Sequence, residues 1–134
     1  KITAHEANRN TLYFYINKVY HQASNRNKRE EKRMSKVYAI QEASGKNLLA
    51  ATNYGDLEFL LPPLTNLMFA TESAVNTIKE GLSEFTEEDY LLLVGDPISI
   101  GIATHYAAES SSVVNFLKWD NREYKYFPVA VEFK

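Results

Sequence analysis

The sequence contains no cysteine, and this absence excludes a disulfide scaffold, a thiolate nucleophile and a cysteine-ligated zinc site. Its apolar runs, such as Leu91–Val94, are far too short to cross a bilayer, and its first residues lack the apolar core of a signal peptide. Histidine occurs only three times, and no metal-ligand spacing accompanies it. We therefore predict a soluble, intracellular protein with no membrane association, no metal and no cofactor.

What the sequence does contain is typical of one folded domain. Its 134 residues are enough to bury a core without disulfides or metals, and 45% hydrophobic against 24% charged residues is ordinary for a globular protein. Nine Tyr, seven Phe and one Trp supply large side chains for that core. The composition therefore excludes a chain that is disordered throughout.

Charge divides the chain near Met34. Residues 1–33 carry eight Lys or Arg against three Glu, a net charge of +5, whereas residues 34–134 carry seven against fourteen Asp or Glu, a net charge of −7. The two values add to the formal charge of −2 for the whole chain. This change of sign predicts a basic N-terminal leader or arm, residues 1–33, ahead of an acidic domain, residues 34–134.

The N-terminal segment admits three interpretations. An amphipathic stripe allows a helix over residues 11–24 that packs on the domain or on a second copy. Alternatively, a basic arm could bind nucleic acid through its phosphates, although charge runs are usually solvated faces and we do not expect this. The stripe consists of Leu12, Tyr15, Val19 and Tyr20, and the basic contacts would be Arg26, Lys28, Arg29, Lys32 and Arg33.

The third interpretation of this segment concerns translation. The codons of Arg29, Glu30 and Glu31 can read AGA GAG GAG, a purine-rich ribosome-binding sequence just upstream of the codon for Met34. Translation would then start at Met34, and residues 1–33 would be a leader outside the natural protein. A pyrimidine-rich choice of synonymous codons in the gene would contradict this interpretation.

The acidic domain begins with two predicted strands. The first holds Val37 and Ile40 and ends at the turn residues Ser44 and Gly45. The second lies in "DLEFLLPP", where two consecutive prolines remove ladder donors and stop the strand.

A helix and a central strand come next. The stretch "LMFAT" is either a further strand or the lead-in to this helix, for which Thr71 is the predicted N-cap. Apolar residues recur at helical spacing from Val75 to Phe85. After an acidic turn, Tyr90–Val94 is a continuous apolar strand, which is typical of the centre of a sheet covered on both faces.

The sequence closes with a predicted hairpin. "VVNFLKWD" and "EYKYFPVAVEF" flank the turn Asp120-Asn121-Arg122, and Pro128 predicts an edge strand or a bulge. Strict alternation places four apolar residues of the second arm on one face. They are Phe127, Val129, Val131 and Phe133.

Together these elements predict the fold class. The order β-β-α-β-α-β-β, after an optional N-terminal helix, indicates an α/β (α+β) fold in a single compact domain. We expect a mixed sheet of four to five strands with two helices packed mainly on one face. Because short sheets with available edges often pair between copies, we also expect a homo-oligomer.

The sharpest local signal is Gly95-Asp96-Pro97. Asp96 is a strong N-cap, and Pro97 suits the first position of a second helix that runs to about Glu109. Nucleotides and metabolites often bind at such strand-to-helix turns, which makes this turn the candidate ligand site. Against an anionic ligand, Asp96 carries a negative charge, Pro97 lacks an amide and no glycine-rich loop surrounds them, so the cap interpretation is favoured.

His105 and Glu109 are the other candidates for chemistry. They lie one helical turn apart, so the carboxylate could orient the imidazole. An enzyme would need Asp96, His105 and Glu109 to converge in a pocket, whereas a binding module would leave them apart. Because no serine nucleophile motif accompanies them, an exposed helix-face pair is favoured and we predict no catalytic residue.

Aromatic residues cluster in the hairpin. They could form a base-stacking platform, or they could pair across the two strands. Few basic residues lie beside them and the domain is acidic, so cross-strand pairing is favoured, and an exposed patch here would suit a protein partner better than nucleic acid. The aromatic residues are Trp119, Tyr124, Tyr126 and Phe127, and the basic ones are Lys118, Arg122 and Lys125.

Two long stretches carry a resemblance. "DYLLLVGDPISIGIATHYAAE" followed by "VVNFLKWDNREYKYFPVAVEF" resembles a group of small uncharacterised proteins of tailed bacteriophages, of the marine and cyanobacterial type. "YGDLEFLLPP" looks like the same group's earlier strand, and the match runs from about Lys36 to Phe133. Asn121 departs from a more basic turn in the group. The resemblance implies a viral origin and a setting in the host cytoplasm during infection, and it implies no activity or cofactor.

These observations favour a small phage accessory protein that acts as a non-enzymatic protein-binding module, with a phage or host protein as its partner. The first alternative is a small phage enzyme or ligand-binding protein acting on a nucleotide or metabolite at Gly95-Asp96-Pro97. The second is a nucleic-acid binder that uses the basic arm.

Overall fold

The computed structural model describes residues 33–42 and 47–134. The predicted helix over residues 11–24 and the predicted turn at Ser44 and Gly45 lie outside the described residues. In chain order the elements are β1 (Lys36–Gln41), a 3-10 helix (Leu48–Asn53), β2 (Asp56–Leu61), α1 (Leu67–Gly81), β3 (Tyr90–Leu92), α2 (Pro97–Ser110), β4 (Val113–Asp120) and β5 (Lys125–Glu132).

The five strands form one mixed sheet in the order β2-β1-β3-β4-β5. β1 is parallel to β2 and to β3, and β3 is parallel to β4, whereas β5 returns antiparallel to β4 as a hairpin. The first four strands have the order of a doubly wound, flavodoxin-type sheet, in which the chain changes direction at β1. The predicted mixed α/β domain and its element order are confirmed, and the predicted central strand is the middle strand.

The two faces of the sheet carry different layers. The connection from β1 to β2, which contains the 3-10 helix, crosses the sheet in one direction, and the connections from β2 to β3 and from β3 to β4, which contain the α-helices, cross it in the other. Right-handed crossovers that run in opposite directions lie on opposite faces of a sheet. Both α-helices therefore share one face, as predicted, and the 3-10 helix covers the other. We call these the helix face and the loop face. The helix-face core includes Tyr38, Ile40, Leu60, Leu91 and Val114 beneath Ala74, Ile78, Leu82, Ala103 and Ala107. The loop-face core includes Val37, Ala39, Leu57, Phe59, Leu92, Leu117 and Tyr126 beneath Leu48 and Ala51.

Helix α1 starts earlier than the sequence predicts. Its N-cap is Asn66, whose side chain accepts a hydrogen bond from the Met68 amide at 2.9 Å. The helix kinks at Ala70, where φ is −137° and ψ is 34°, and the Thr71 hydroxyl donates back to the Leu67 carbonyl. The prediction that Thr71 caps this helix is therefore wrong, because a polar side chain before the apolar first turn already satisfies the opening amides.

The central strand is shorter than predicted. β3 ends at Leu92 rather than at Val94, since the Val94 amide turns back to donate to the Leu92 carbonyl at 2.9 Å. The Val94 carbonyl then accepts from the amide of Gln41, at the end of β1, at 3.0 Å. The chain therefore leaves the ladder early but stays tied to β1 until the second helix begins.

The start of the described chain is held by an ion pair with a buried carboxylate. Asp89, directly before β3, is completely buried, and each of its two oxygens accepts from the Arg33 guanidinium at 2.8 Å. The same carboxylate accepts from the backbone amides of Lys36 and Thr86 at 2.9 Å. The hydrogen bond to Asp89 raises the pKa of the Arg33 guanidinium, and burial raises the pKa of the adjacent Tyr38 hydroxyl, which accepts from Arg33 at 3.3 Å. These charge-assisted hydrogen bonds thus neutralise the Asp89 carboxylate and hold the N-terminal end of β1 in place.

One buried hydroxyl of α2 makes no hydrogen bond within the described part of the chain. Ser99 is only 1% exposed, on the buried side of α2 with Ala103 and Ala107, and its Oγ has no hydrogen-bond partner among the described residues. At the other end of the same helix, the Ser110 hydroxyl donates to the Leu82 carbonyl at 3.0 Å. The helix therefore contains one serine whose hydroxyl is hydrogen bonded, Ser110, and one whose buried hydroxyl has no partner among the described residues, Ser99.

We expect Ser99→Ala to raise the free energy of unfolding by about 0.5 kcal/mol, because it removes an unpaired buried polar group and favours the helix. Ser110→Ala, the matched control, deletes a hydrogen bond and should lower that free energy by about 1 kcal/mol. Urea unfolding followed by circular dichroism measures both. A loss of more than about 1 kcal/mol for Ser99→Ala would contradict the assignment of an unpaired hydroxyl.

Candidate functional site

The Gly95-Asp96-Pro97 turn lies where the strand order reverses, beside the carboxyl ends of β1 and β3. Ligands usually enter α/β sheets at this crevice. Here the crevice is filled by the side chain of Gln41, which donates to the Pro62 carbonyl at 3.2 Å and accepts from the Asp96 amide at 3.3 Å. A Cβ atom at Gly95 would lie 2.7 Å from the Cβ of Gln41, so little space remains between them.

The opening amides of α2 are satisfied by the protein itself. Asp96 Oδ1 accepts from the amides of Ile98 at 2.8 Å and Ser99 at 3.4 Å, which confirms the predicted N-cap. Pro97 has no amide to offer, and the Asp96 amide already binds Gln41. The turn therefore presents a capping carboxylate, rather than free donors for a phosphate.

The structure brings His105 and Glu109 together but leaves Asp96 apart. His105 Nε2 lies 3.4 Å from Glu109 Oε2, and the two side chains are 64% and 57% exposed. Asp96 lies nine residues before His105, a separation of about 14 Å along the helix axis. Among residues 33–42 and 47–134, no group of three or more His, Cys, Asp or Glu is arranged to hold a metal ion.

A cavity of about 340 Å³ opens on the loop face, at the carboxyl ends of β3 and β4. We call it the aromatic cavity. Its volume lies within the range of small-molecule sites, and it stands one strand away from the filled crevice. The described residues that line it are Asn47, Leu92, Leu93, Val94, Leu117, Trp119, Asn121, Tyr124 and Tyr126.

Three aromatic rings of the hairpin form a wall of this cavity. The Trp119 ring lies 5.0 Å from that of Tyr126 at 67°, and 6.2 Å from that of Tyr124 at 84°. Trp119 Nε1 donates to Asn121 Oδ1 at 2.9 Å, which holds the indole in place. Tyr126 is buried and this burial raises the pKa of its hydroxyl, whereas Tyr124 is 76% exposed. The predicted cross-strand pairing within the aromatic group is confirmed for Trp119 and Tyr126, which are partners in the ladder.

The opposite face of the hairpin carries an apolar stripe, which we define as Phe127, Val129, Val131 and Phe133. The ladder pairs Val129 and Val131 with the helix-face residues Phe116 and Val114, so the predicted common face is confirmed. The exposures of Phe127, Val129 and Phe133 are 39%, 43% and 45%. No residue of β5 belongs to the helix-face core, so the helical layer ends before it covers this edge strand.

The basic arm contributes one residue to the described structure. Arg33 is bound to Asp89 and donates to the Glu84 carbonyl at 3.3 Å, so its guanidinium is occupied within the domain. Arg26, Lys28, Arg29 and Lys32 lie outside the described residues. In the described chain, no helix is long and apolar enough to cross a membrane.

No curated protein matches this chain, and no solved structure matches it either. Residues 35–133 match the family described as phage Pam3 gp32-like protein. The matched range contains all five strands, both α-helices, the aromatic cavity and the apolar stripe. Since it covers well over half of the sequence, and agrees with the resemblance to phage proteins, the chain belongs to the phage Pam3 gp32-like protein family and is a small phage protein.

Proposed function

We propose that this chain is a non-enzymatic phage accessory protein that acts in the host cytoplasm by binding another protein through the apolar stripe. The observation that carries the proposal is the exposure of Phe127, Val129 and Phe133 along one face of a regular edge strand. A contiguous apolar patch on a flat face is a feature of protein contact surfaces. Burying what is exposed of these three side chains contributes about 2–4 kcal/mol.

The stripe suits a partner that continues the helical layer. α2 packs on the sheet through Ala103 and Ala107, and no residue of β5 belongs to the core beneath the described helices. The next position in the helical layer, above β4 and β5, is therefore the place for a partner. Lys125 Nζ lies 4.9 Å from the centre of the Phe127 ring, and Lys118 is the ladder partner of Phe127, so charged groups border one end of the apolar stripe. This arrangement of an apolar centre with a polar rim is typical of protein interfaces.

The face of β5, rather than its edge, is the proposed contact. Pro128 has no amide, so a strand added to the outer edge would lack a donor in the middle of β5. The proposal includes a second copy of this chain as one partner, because two identical stripes can face each other about a twofold axis. A phage or host protein that presents a complementary apolar surface would use the same contact.

A matched pair of variants tests the proposal. Val129→Lys places a charge in the centre of the stripe, whereas Ala130→Lys places the same charge on the loop face of the same exposed strand. We expect Val129→Lys to weaken retention of partner proteins from infected-host lysate, and any self-association measured by light scattering, at least about tenfold. Ala130→Lys should match the wild type. Equal effects of the two variants, or an effect of Ala130→Lys alone, would contradict the proposal.

The alternative of an enzyme or ligand-binding protein at Gly95-Asp96-Pro97 gains less support from the geometry. Gln41 occupies the crevice beside that turn, and His105 and Glu109 lie on the exposed side of α2 far from Asp96. A ligand-binding role finds better support one strand away, in the aromatic cavity.

A further inference from the structure

We infer that the aromatic cavity binds a planar aromatic ring with hydrogen-bonding groups on its edge, which is the chemistry of a nucleobase. The inference goes beyond protein binding and does not depend on it, because the cavity opens on the loop face and the apolar stripe lies on the helix face. Tyr126 lines the cavity and Phe127 belongs to the apolar stripe, and these two neighbours in the chain point to opposite sides of the same strand.

Position is the first argument for a binding site. The cavity is formed at the carboxyl ends of two adjacent parallel strands by Leu92 of β3 and Leu117 of β4, which are ladder partners. In α/β sheets, side chains at these ends and the loops that follow them build the ligand sites. Leu93 and Val94, which lead from β3 to α2, complete the apolar floor. The cavity thus occupies a usual ligand position even though the neighbouring crevice is filled.

The arrangement of the rings is the second argument. Trp119 is fixed by its hydrogen bond to Asn121 and by its edge-to-face packing against Tyr126. Tyr124, which is exposed and roughly perpendicular to Trp119, forms an outer wall. A planar guest in the corner formed by these two perpendicular rings can stack on the face of one ring and meet the other at its edge, and both geometries are favourable for aromatic pairs. Aromatic side chains bind nucleobases by such stacking.

Two carboxamides supply the polar part of the site. Asn47 precedes the 3-10 helix without using its side chain as a cap. Asn121 accepts from Trp119 through Oδ1, and this leaves its amide nitrogen able to donate to a ligand. Carboxamides pair with the donor and acceptor groups on base edges. None of the described residues that line the cavity is charged, so the ring, rather than a phosphate, is expected to carry the affinity.

Trp119 is the only tryptophan of the chain, so its fluorescence reports on this cavity directly. We would titrate the full chain with adenosine, uridine and AMP and follow the Trp119 emission. We expect a saturable change with at least one nucleoside, with a dissociation constant below about 1 mM. AMP should bind no more tightly than adenosine.

Variants locate the binding. Tyr124→Ala removes an exposed wall and should weaken nucleoside binding about fivefold to hundredfold, from the usual contribution of one stacked ring. Leu93→Phe, which fills the cavity from a partly exposed position, should abolish saturation. Phe127→Ala is the matched control, because it removes an aromatic ring of the same hairpin from the opposite face and should leave the titration unchanged. Val129→Lys should likewise have no effect, so this inference and the proposed protein contact fail independently.

Three results would each overturn the inference. One is a Trp119 emission that stays unsaturated with both nucleosides at about 5 mM, well above the expected dissociation constant. Another is equal binding by the wild type, Tyr124→Ala and Leu93→Phe. The last is binding of AMP about tenfold tighter than adenosine, because the phosphate would then dominate recognition.

Discussion

Arg33→Ala is expected to lower the free energy of unfolding by about 2–3 kcal/mol, and Asp89→Ala by about 3–5 kcal/mol. Removing Arg33 leaves a completely buried carboxylate whose remaining partners among the described residues are the amides of Lys36 and Thr86 and the Thr86 hydroxyl. The loss is smaller for Arg33 because its side chain is 34% exposed and water can replace part of its interaction. Asp89→Ala removes the acceptor of every one of these bonds. Urea unfolding of each variant measures the difference.

Arg122→Ala is the control for this prediction, since it deletes an exposed arginine of the hairpin turn and should leave stability unchanged. A loss for Arg33→Ala no larger than for Arg122→Ala would contradict the structural role of the ion pair. A chain expressed from Met34 lacks Arg33 and should unfold with the reduced stability of Arg33→Ala.

Gly95→Ala is expected to lower the free energy of unfolding by about 3 kcal/mol. Gly95 has a φ of +122°, which side-chain-bearing residues rarely adopt, and an added Cβ would lie 2.7 Å from the Cβ of Gln41. Backbone strain of this kind costs about 1–3 kcal/mol, and overpacking costs a similar amount. The variant should also weaken the contacts of Gln41 with Pro62 and Asp96, because the glutamine has to move.

Gly101→Ala is the matched control for Gly95→Ala. Gly101 lies on an exposed position of α2, where an added Cβ meets no atom within 4 Å. Alanine favours the helix, so this variant should raise the free energy of unfolding by about 0.5–1 kcal/mol. A Gly95→Ala variant as stable as Gly101→Ala would contradict the conformational requirement at Gly95.

The elements that could be predicted from the sequence are those whose local pattern and tertiary setting agree. Asp96 followed by Pro97 specifies a helix start by itself, and the strict alternation from Phe127 onward specifies which side chains share a face. The continuous apolar run at Tyr90 predicts a buried central strand, because only such a position needs apolar residues on both faces. In each case a few neighbouring residues contain the whole signal.

The features that could not be predicted depend on residues far apart in the chain. Arg33 and Asp89 are 56 positions apart, and nothing in the basic run of the sequence distinguishes the arginine that enters the domain from its basic neighbours. The aromatic cavity is lined by Asn47 and by residues of the hairpin, which come together only because of the order of the strands in the sheet. Its shape and its polar lining therefore cannot be predicted from the local sequence. The sequence places the aromatic residues of the hairpin in one cluster, but only the ladder register, which pairs Trp119 with Tyr126, shows which of them share a face with Trp119.

The sequence does not predict the early start of α1, and the reason is local. Two capping side chains, Asn66 and Thr71, compete within five residues, and the apolar turn between them has no helical period of its own. The observed kink at Ala70 marks the place where the two possible starts meet. Capping residues alone therefore do not decide a helix start when a second capping residue follows one turn later.

Site-specific photocrosslinking in infected host cells tests the protein-binding role most directly. A photoreactive benzophenone side chain would replace Val129 in the apolar stripe or, in a matched protein, Ala130 on the opposite face of the same strand. The proposed function predicts a discrete crosslinked partner or a crosslinked dimer from position 129, and none from position 130. Crosslinks of equal yield from both positions, or from position 130 alone, would contradict a protein contact at the apolar stripe.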